Sequence, residues 1–216
     1  MDRENRGVVI FDWDGVIVDS APEYMGIYGW ICEKYGKIFP IRTLEEFREW
    51  YDSAWENNFT KLGFAASDIP ELLAFEEMNV DYERIGFFEG IREVLLGLAE
   101  GYDLGIASTS SEETIHRKLT QENLDGLFAI ISGGEDGKSE KKEKISKVVY
   151  HFGRPPEQHL MIGDTVMDVV SAKSLGIKCI GVSYGWNTRR RLEEASPCLV
   201  LDSPAEIIPA IRTVLP

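Results

Sequence analysis

The chain has 216 residues, 44% hydrophobic and 28% charged, the make-up of a globular protein with one medium-sized domain or a core carrying a smaller insertion. Its 37 acidic residues against 23 basic ones leave a net charge of −14, which repels nucleic acid and anionic membrane, so neither is an expected partner. An anionic substrate is repelled at long range as well, so a site for one must carry its own local positive charge, which a bound metal would supply.

In chain order, the apolar run Val8–Phe11 reads as a first strand. From about residue 20 to about residue 85 the pattern turns helical, with clustered aromatics and no strand signal. Tyr24, Tyr28, Trp30, Ile31 and Tyr35 fall in one helical stretch, and Phe47, Trp50, Tyr51, Ala54, Trp55 and Phe59 in a second. A third is expected over residues 68–79. The chain then returns at Phe87-Phe88-Glu89-Gly90. Beyond it, strands expected at Tyr102–Ala107, Phe128–Ile131, His159–Ile162, Ile177–Val182 and Cys198–Leu201 alternate with helices at 90–100, 111–122, 140–152, 166–175 and 204–214. Such alternation, with near-continuous apolar strands, predicts an α/β fold: a parallel sheet covered by helices on both faces. The expected division is a core of residues 1–18 and 87–216 and a helical insertion of residues 19–86.

Cys32, Cys179 and Cys198 form no CxxC pair and read as small buried apolar residues, not as a disulfide framework or zinc site. No uncharged apolar run approaches about 18 residues, which excludes a helical membrane span. No basic-then-apolar leader with a cleavage site opens the sequence, so a reducing cytoplasm is the expected compartment.

In an open α/β sheet, ligands bind beyond the carboxyl ends of the strands, so the strand tips hold the candidate site. The first tip carries Asp12 and Asp14, followed by Gly15. Two acids two residues apart each need a counter-charge or a hydrogen bond; Gly15 permits a sharp turn and brings amide groups close. A strand-ending Asx turn is the structural alternative. The second tip runs through Ser108, Thr109 and Ser110. Ser110 with Glu113 fits a capping box, while the Ser108 hydroxyl and the next amide can hold a phosphate oxygen or simply shape the turn. A later tip, Gly163-Asp164-Thr165-Val166-Met167-Asp168, pairs Asp164 with Asp12 as carboxylates on neighbouring strands, an oxygen donor set suited to Mg²⁺. Thr165 and Asp168 also fit an N-cap and its partner. Among Lys138, Lys141, Lys142 and Lys144, one can turn inward against a phosphate while the others stay solvated.

The order of these four elements matches the signature motifs of the haloacid dehalogenase superfamily, which the sequence resembles over nearly its whole length. Phe11-Asp12-Trp13-Asp14-Gly15-Val16 with Asp19-Ser20 is similar to the first motif, Ser108 to the second, a lysine within 138–142 to the third, and Gly163–Asp168 to the fourth. The helical insertion resembles the cap of the subfamily that includes phosphoglycolate phosphatases and β-phosphoglucomutases. Departures are Trp13 for the usual leucine, Val16 for threonine, and Glu89 in Phe88-Glu89-Gly90-Ile91, where proline is usual. Gly137-Lys138-Ser139 lacks the proline of the common Gly-Lys-Pro, so Lys141 is the preferred third-motif lysine, with Lys138 and Lys142 as rivals.

The resemblance implies a Rossmann-like parallel-sheet core with an inserted all-helical cap domain. It also implies a Mg²⁺-dependent phosphatase that acts on a small phosphorylated metabolite through an aspartyl-phosphate, as a monomer or homodimer. Asp12 would be the nucleophile and Asp14 the general acid and base. Ser108, the Thr109 amide and Gly15 would hold the phosphoryl group, and Lys141 would supply fixed positive charge. Mg²⁺ would be held by Asp12, the Asp14 backbone carbonyl and Asp164, with Asp168 direct or through water. The cap would read the leaving group; its aromatics suit apolar walls or the cap's own core, and Arg42, Arg48 or Arg84 could meet a second anionic group. Asp14 argues against a dehalogenase or phosphonate hydrolase. A phosphomutase is the nearest alternative, and a phospho-accepting signalling module or an inactive binding protein the more distant ones.

Overall fold

The computed structural model describes residues 6–134 and 140–215. Six parallel strands form one sheet: β1 (Val8–Phe11), β2 (Asp103–Ala107), β3 (Phe128–Ser132), β4 (His159–Gly163), β5 (Lys178–Val182) and β6 (Leu199–Leu201). Their spatial order is β3-β2-β1-β4-β5-β6. Strand succession therefore runs outward in opposite directions on the two sides of β1, the switch point where such sheets open a ligand crevice. The register is level: Phe11 lies beside Ile106 on β2 and beside Ile162 on β4. Asp12, Ser108 and Asp164, each just past its strand, thus reach one edge of the sheet.

All four residues of β1 are buried, as a central strand covered on both faces requires. Alternate strand residues feed two separate cores. Val9, Phe11, Ile106, Ile162 and Ile180 pack under α5 (Ile91–Ala99), α6 (Glu112–Gln121) and α10 (Ile207–Val214). Val8, Ile10, Met161 and Cys179 pack under α7 (Lys141–Phe152), α8 (Val166–Ser174) and α9 (Arg189–Ala195). The α/β expectation holds, with corrections at the edges. Helix α9 adds to the expected helices, its apolar content being little more than Leu192 and so too small to mark a period. The final helical stretch starts as a 3-10 turn at Pro204–Glu206 before α10. Cys32 and Cys179 are buried and free, but Cys198, which precedes edge strand β6, is exposed.

Between β1 and β2 lie α1 (Ala21–Lys34), α2 (Leu44–Trp50), α3 (Trp55–Lys61) and α4 (Ile69–Asn79). The expected second aromatic helix is two helices, because Tyr51 leaves α2 in an extended conformation (φ −61°, ψ 140°). Asp52 then accepts the Ala54 amide, and the buried Asn58 side chain bonds both the amide and the carbonyl of Asp52. The helical unit has its own core of Tyr28, Ile31, Phe47, Phe59 and Leu72, so most of its aromatics serve packing. The chain leaves and re-enters the sheet unit side by side: Val18 bridges Phe87, Asp19 N–H donates to Gly86 O, and Phe88 N–H donates to Ile17 O. No helix among the described residues is long and apolar enough to cross a membrane.

Candidate active site

Burial at the sheet edge makes the predicted acids costly to place. Asp12, Asp164 and Asp168 are all buried, and one carboxylate oxygen from each lies within 4.8 Å of the others. Among the described residues one buried cation faces them: Lys141, from the first turn of α7, puts Nζ 2.6 Å from Asp12 Oδ2 and 3.2 Å from Asp168 Oδ1. The same ammonium donates to Ala107 O at 3.2 Å. Burial by itself would lower the Lys141 pKa, but Asp12 and Asp168 outweigh it and hold the ammonium above its ordinary value. Burial raises Asp12 while Lys141 opposes the rise. Asp164 is raised by burial and then by its two acidic neighbours.

Each acid is oriented by backbone. Asp12 Oδ1 accepts the Trp13 amide at 2.7 Å. Asp164 Oδ2 accepts the Trp186 amide at 2.6 Å, leaving Oδ1 buried with no protein partner. Asp168 plays both parts foreseen for it. Oδ2 accepts the Thr165 amide and hydroxyl in a capping box at the start of α8, while Oδ1 faces Lys141. Gly15 adopts φ +76°, and a Cβ there would collide with the Asp164 carboxylate and the Trp186 ring. Its amide is taken by Val18 O at 2.8 Å, so what demands glycine here is closeness to Asp164 and a left-handed turn.

The Asp14 carboxylate is not part of that cluster and has hydroxyl partners instead. Tyr24 O–H reaches Tyr82 Oη at 3.4 Å, Tyr82 O–H donates to Ser110 Oγ at 2.9 Å, and Ser110 O–H donates to Asp14 Oδ2. Burial raises the Asp14 pKa against these bonds. This corrects the expected capping box at Ser110: the cap of α6 is Ser111, whose hydroxyl accepts the Thr114 amide, so Ser110 is free to hold Asp14. Ser108 is buried, and its Oγ accepts the Ser110 amide. The Thr109 amide has no protein acceptor among the described residues and lies beside it at the strand tip.

The lysines separate by burial. Lys142 is exposed, Lys144 is buried and donates to Gly133 O, and Lys138 lies outside the described residues. Arg42 and Arg84 are exposed, the latter paired with Asp81, while Arg48 donates to Tyr184 O at 2.5 Å. Sequence reasoning missed three contributors. Tyr82 lies in the return segment, where no periodicity marks it. Trp186 and Asn187 follow β5; Asn187 Oδ1 accepts the Val166 amide at 3.0 Å and the Asn187 backbone N–H donates to Asp164 O at 3.2 Å. Gly185-Trp186-Asn187 sits beyond a strand tip, the one signal that could have found it.

The family model for haloacid dehalogenase-like hydrolases matches residues 9–182. The phosphoglycolate phosphatase of Pseudomonas fluorescens Pf-5 is 30% identical, covering 94% of this chain and 78% of its own length. That of Synechococcus elongatus is 26% identical over 96% of this chain and 98% of its own. Among solved structures, a haloacid dehalogenase-like family hydrolase from Streptococcus pneumoniae superposes with a TM-score of 0.82 at 22% identity, covering 95% of this chain and 98% of that one. The family match spans every strand tip that carries a buried acid, and by it the chain belongs to the haloacid dehalogenase-like hydrolases.

Proposed function

We propose that this hydrolase cleaves a small phosphate monoester through an aspartyl-phosphate on Asp12, with Mg²⁺ as its metal and α1–α4 as a cap over the site. Assignment to the phosphatases rests on the family and on relatives named phosphoglycolate phosphatase that match over 94–96% of this chain. The observation that carries the mechanism is the Asp12–Lys141 pair at 2.6 Å beside Asp164 and Asp168.

The residues fit a hard divalent cation. Three buried carboxylates cluster while Lys141 pairs with two of them, and Asp164 Oδ1 is buried without a partner among the described residues, as an all-oxygen ligand set would leave it. Asp12, Asp164 and Asp168 would hold the metal, with the Asp14 carbonyl as a fourth donor. When bound, the metal supplies positive charge that offsets repulsion between carboxylates and phosphate.

Asp12, ionised beside Lys141, attacks phosphorus; the P–O bond to the leaving alcohol breaks, and that oxygen takes its proton from Asp14. Asp14 then accepts a proton from water as the water attacks the same phosphorus and releases the Asp12 carboxylate. The Ser108 hydroxyl and the Thr109 amide hold phosphoryl oxygens, and Lys141 keeps its charge throughout. Hydrolysis of p-nitrophenyl phosphate is expected with Mg²⁺ and is expected to fall by about 10²-fold or more in EDTA, returning when Mg²⁺ is restored. Turnover that ignores both additions would remove the metal from this account.

A further inference from the structure

Tyr82 has no part in the mechanism above, although its hydroxyl stands at the residue given the acid role. Its Oη lies 3.4 Å from both carboxylate oxygens of Asp14 and 2.9 Å from Ser110 Oγ. A carboxylate only accepts, so the one Ser110 hydrogen goes to Asp14 Oδ2. Ser110 Oγ then accepts at its other contact, and Tyr82 O–H is the donor there. Tyr24 O–H, 3.4 Å from Tyr82 Oη, stands behind it. The hydroxyls thus run in one direction, from Tyr24 through Tyr82 and Ser110 to Asp14. Ser20, a second hydroxyl on Asp14, is backed in the same way, by the Trp186 indole N–H at 3.2 Å.

Packing does not account for the phenol oxygen. The Tyr82 ring lies against the core that holds Phe11 and Ile106, where a phenylalanine ring fits equally well. The backbone is fixed separately: Lys118 Nζ on α6 donates to Tyr82 O at 3.3 Å, and Gln121 Nε2 donates to Glu83 Oε2 at 3.0 Å. What the phenol oxygen adds is direction. A serine hydroxyl rotates to suit its neighbours, and a carboxyl torsion is broad. The bond from Tyr82 leaves Ser110 one way to point. Burial and the charge of Asp14 hold the Tyr82 phenol well above its ordinary pKa, so it stays a donor and is not itself the proton source.

The members come from four places: Tyr24 on α1, Tyr82 between α4 and α5, Ser110 past β2 and Asp14 past β1. The setting of the carboxyl therefore depends on how the helical unit seats against the sheet.

We propose that Tyr82 is a positioning residue for Asp14: its hydroxyl fixes Ser110 as a donor to Oδ2 and so holds the carboxyl in one orientation for proton delivery. This rests on the acid role given to Asp14 above. The ester P–O bond breaks as the leaving oxygen takes the Asp14 proton, while Tyr82 and Ser110 keep theirs.

The test is phosphate release by the full chain with Mg²⁺ from glycerol phosphate, phosphoglycolate and p-nitrophenyl phosphate, read as kcat/KM. That ratio covers steps only up to departure of the alcohol, so it reports Asp14 as acid and not its later part with water. Tyr82→Phe is expected to lower it by about tenfold for the better alkyl ester. For p-nitrophenyl phosphate, whose leaving group departs without a proton, the loss should be less than about threefold. Ser110→Ala should show the same split, and adding Tyr82→Phe to it should cost less than about twofold more, as for residues acting in series. Equal losses on both ester types, no loss, or losses that multiply in the double variant overturn the proposal. Should Tyr82→Phe fail to fold, Ser110→Ala decides alone: a split upholds the chain of hydroxyls and an equal loss overturns it. A wild type that cleaves p-nitrophenyl phosphate alone delivers no proton to an alkoxide, which also overturns it. Asp14→Asn separates the two readings: if it keeps kcat/KM for the alkyl ester, the acid role itself falls, and the proposal with it.

Discussion

Asp12→Asn is expected to lower phosphate release by about 10⁴-fold or more, because the amide cannot form the covalent intermediate proposed for Asp12, which divides the reaction into two easier steps. The same change should not destabilise the metal-free protein. Asp12, Asp164 and Asp168 crowd one buried space beside the charge of Lys141. Replacing one acid by an isosteric neutral group removes repulsion, and Lys141 keeps Asp168 as its partner at 3.2 Å. Thermal unfolding in EDTA should place the variant at or above wild type, with single-turnover assays showing no phosphorylated protein. An active Asp12→Asn protein would end the nucleophile assignment.

Lys141→Ala is expected to fail in both respects at once. Activity should fall by about 10²-fold or more as the fixed charge beside the phosphoryl group is lost. Without metal, stability should fall by about 3–5 kcal/mol, because removing one partner leaves buried acids uncompensated. Since Asp12 and Asp168 hold the folded-state ammonium above its usual pKa, the stability it contributes is fully present below the unfolded value of about 10.4 and is lost only as pH rises beyond that. The deficit should therefore be undiminished at neutral pH, and saturating Mg²⁺ should restore part of it by supplying another cation. Chemical denaturation at pH 7 with and without Mg²⁺ measures both. Lys142→Ala, one residue on but exposed, is expected to match wild type; the reverse pattern would exchange their roles.

The tertiary structure also joins the two units at the site. Thr188 donates to Glu49 at 3.0 Å, and Arg191 donates to the Arg48 and Tyr51 carbonyls at 3.1 and 2.5 Å, so the segment after β5 grips the end of α2. Trp186 extends that grip into the core of the helical unit while its amide holds Asp164. Movement of α2 and ordering of a candidate metal ligand therefore pass through one loop.

What the sequence by itself determined is local and periodic. Continuous apolar runs marked the strands, since burial on both faces leaves no polar alternation to confuse them. The strand tips then marked Asp12, Asp14, Ser108 and Asp164 as residues whose placement needs a reason. Tertiary structure decided which partner each received. Lys141 rather than Lys142 faces Asp12 because helical spacing rotates neighbouring residues by about 100°, and only packing of α7 sets which face turns inward. Ser110 holds Asp14 because Ser111 takes the cap of α6. Tyr82 and Trp186 reach the site across 60 or more positions from Asp14, and contacts of that range leave no mark in a sequence window. Proximity in the chain specifies elements; the angle at which elements pack specifies chemistry.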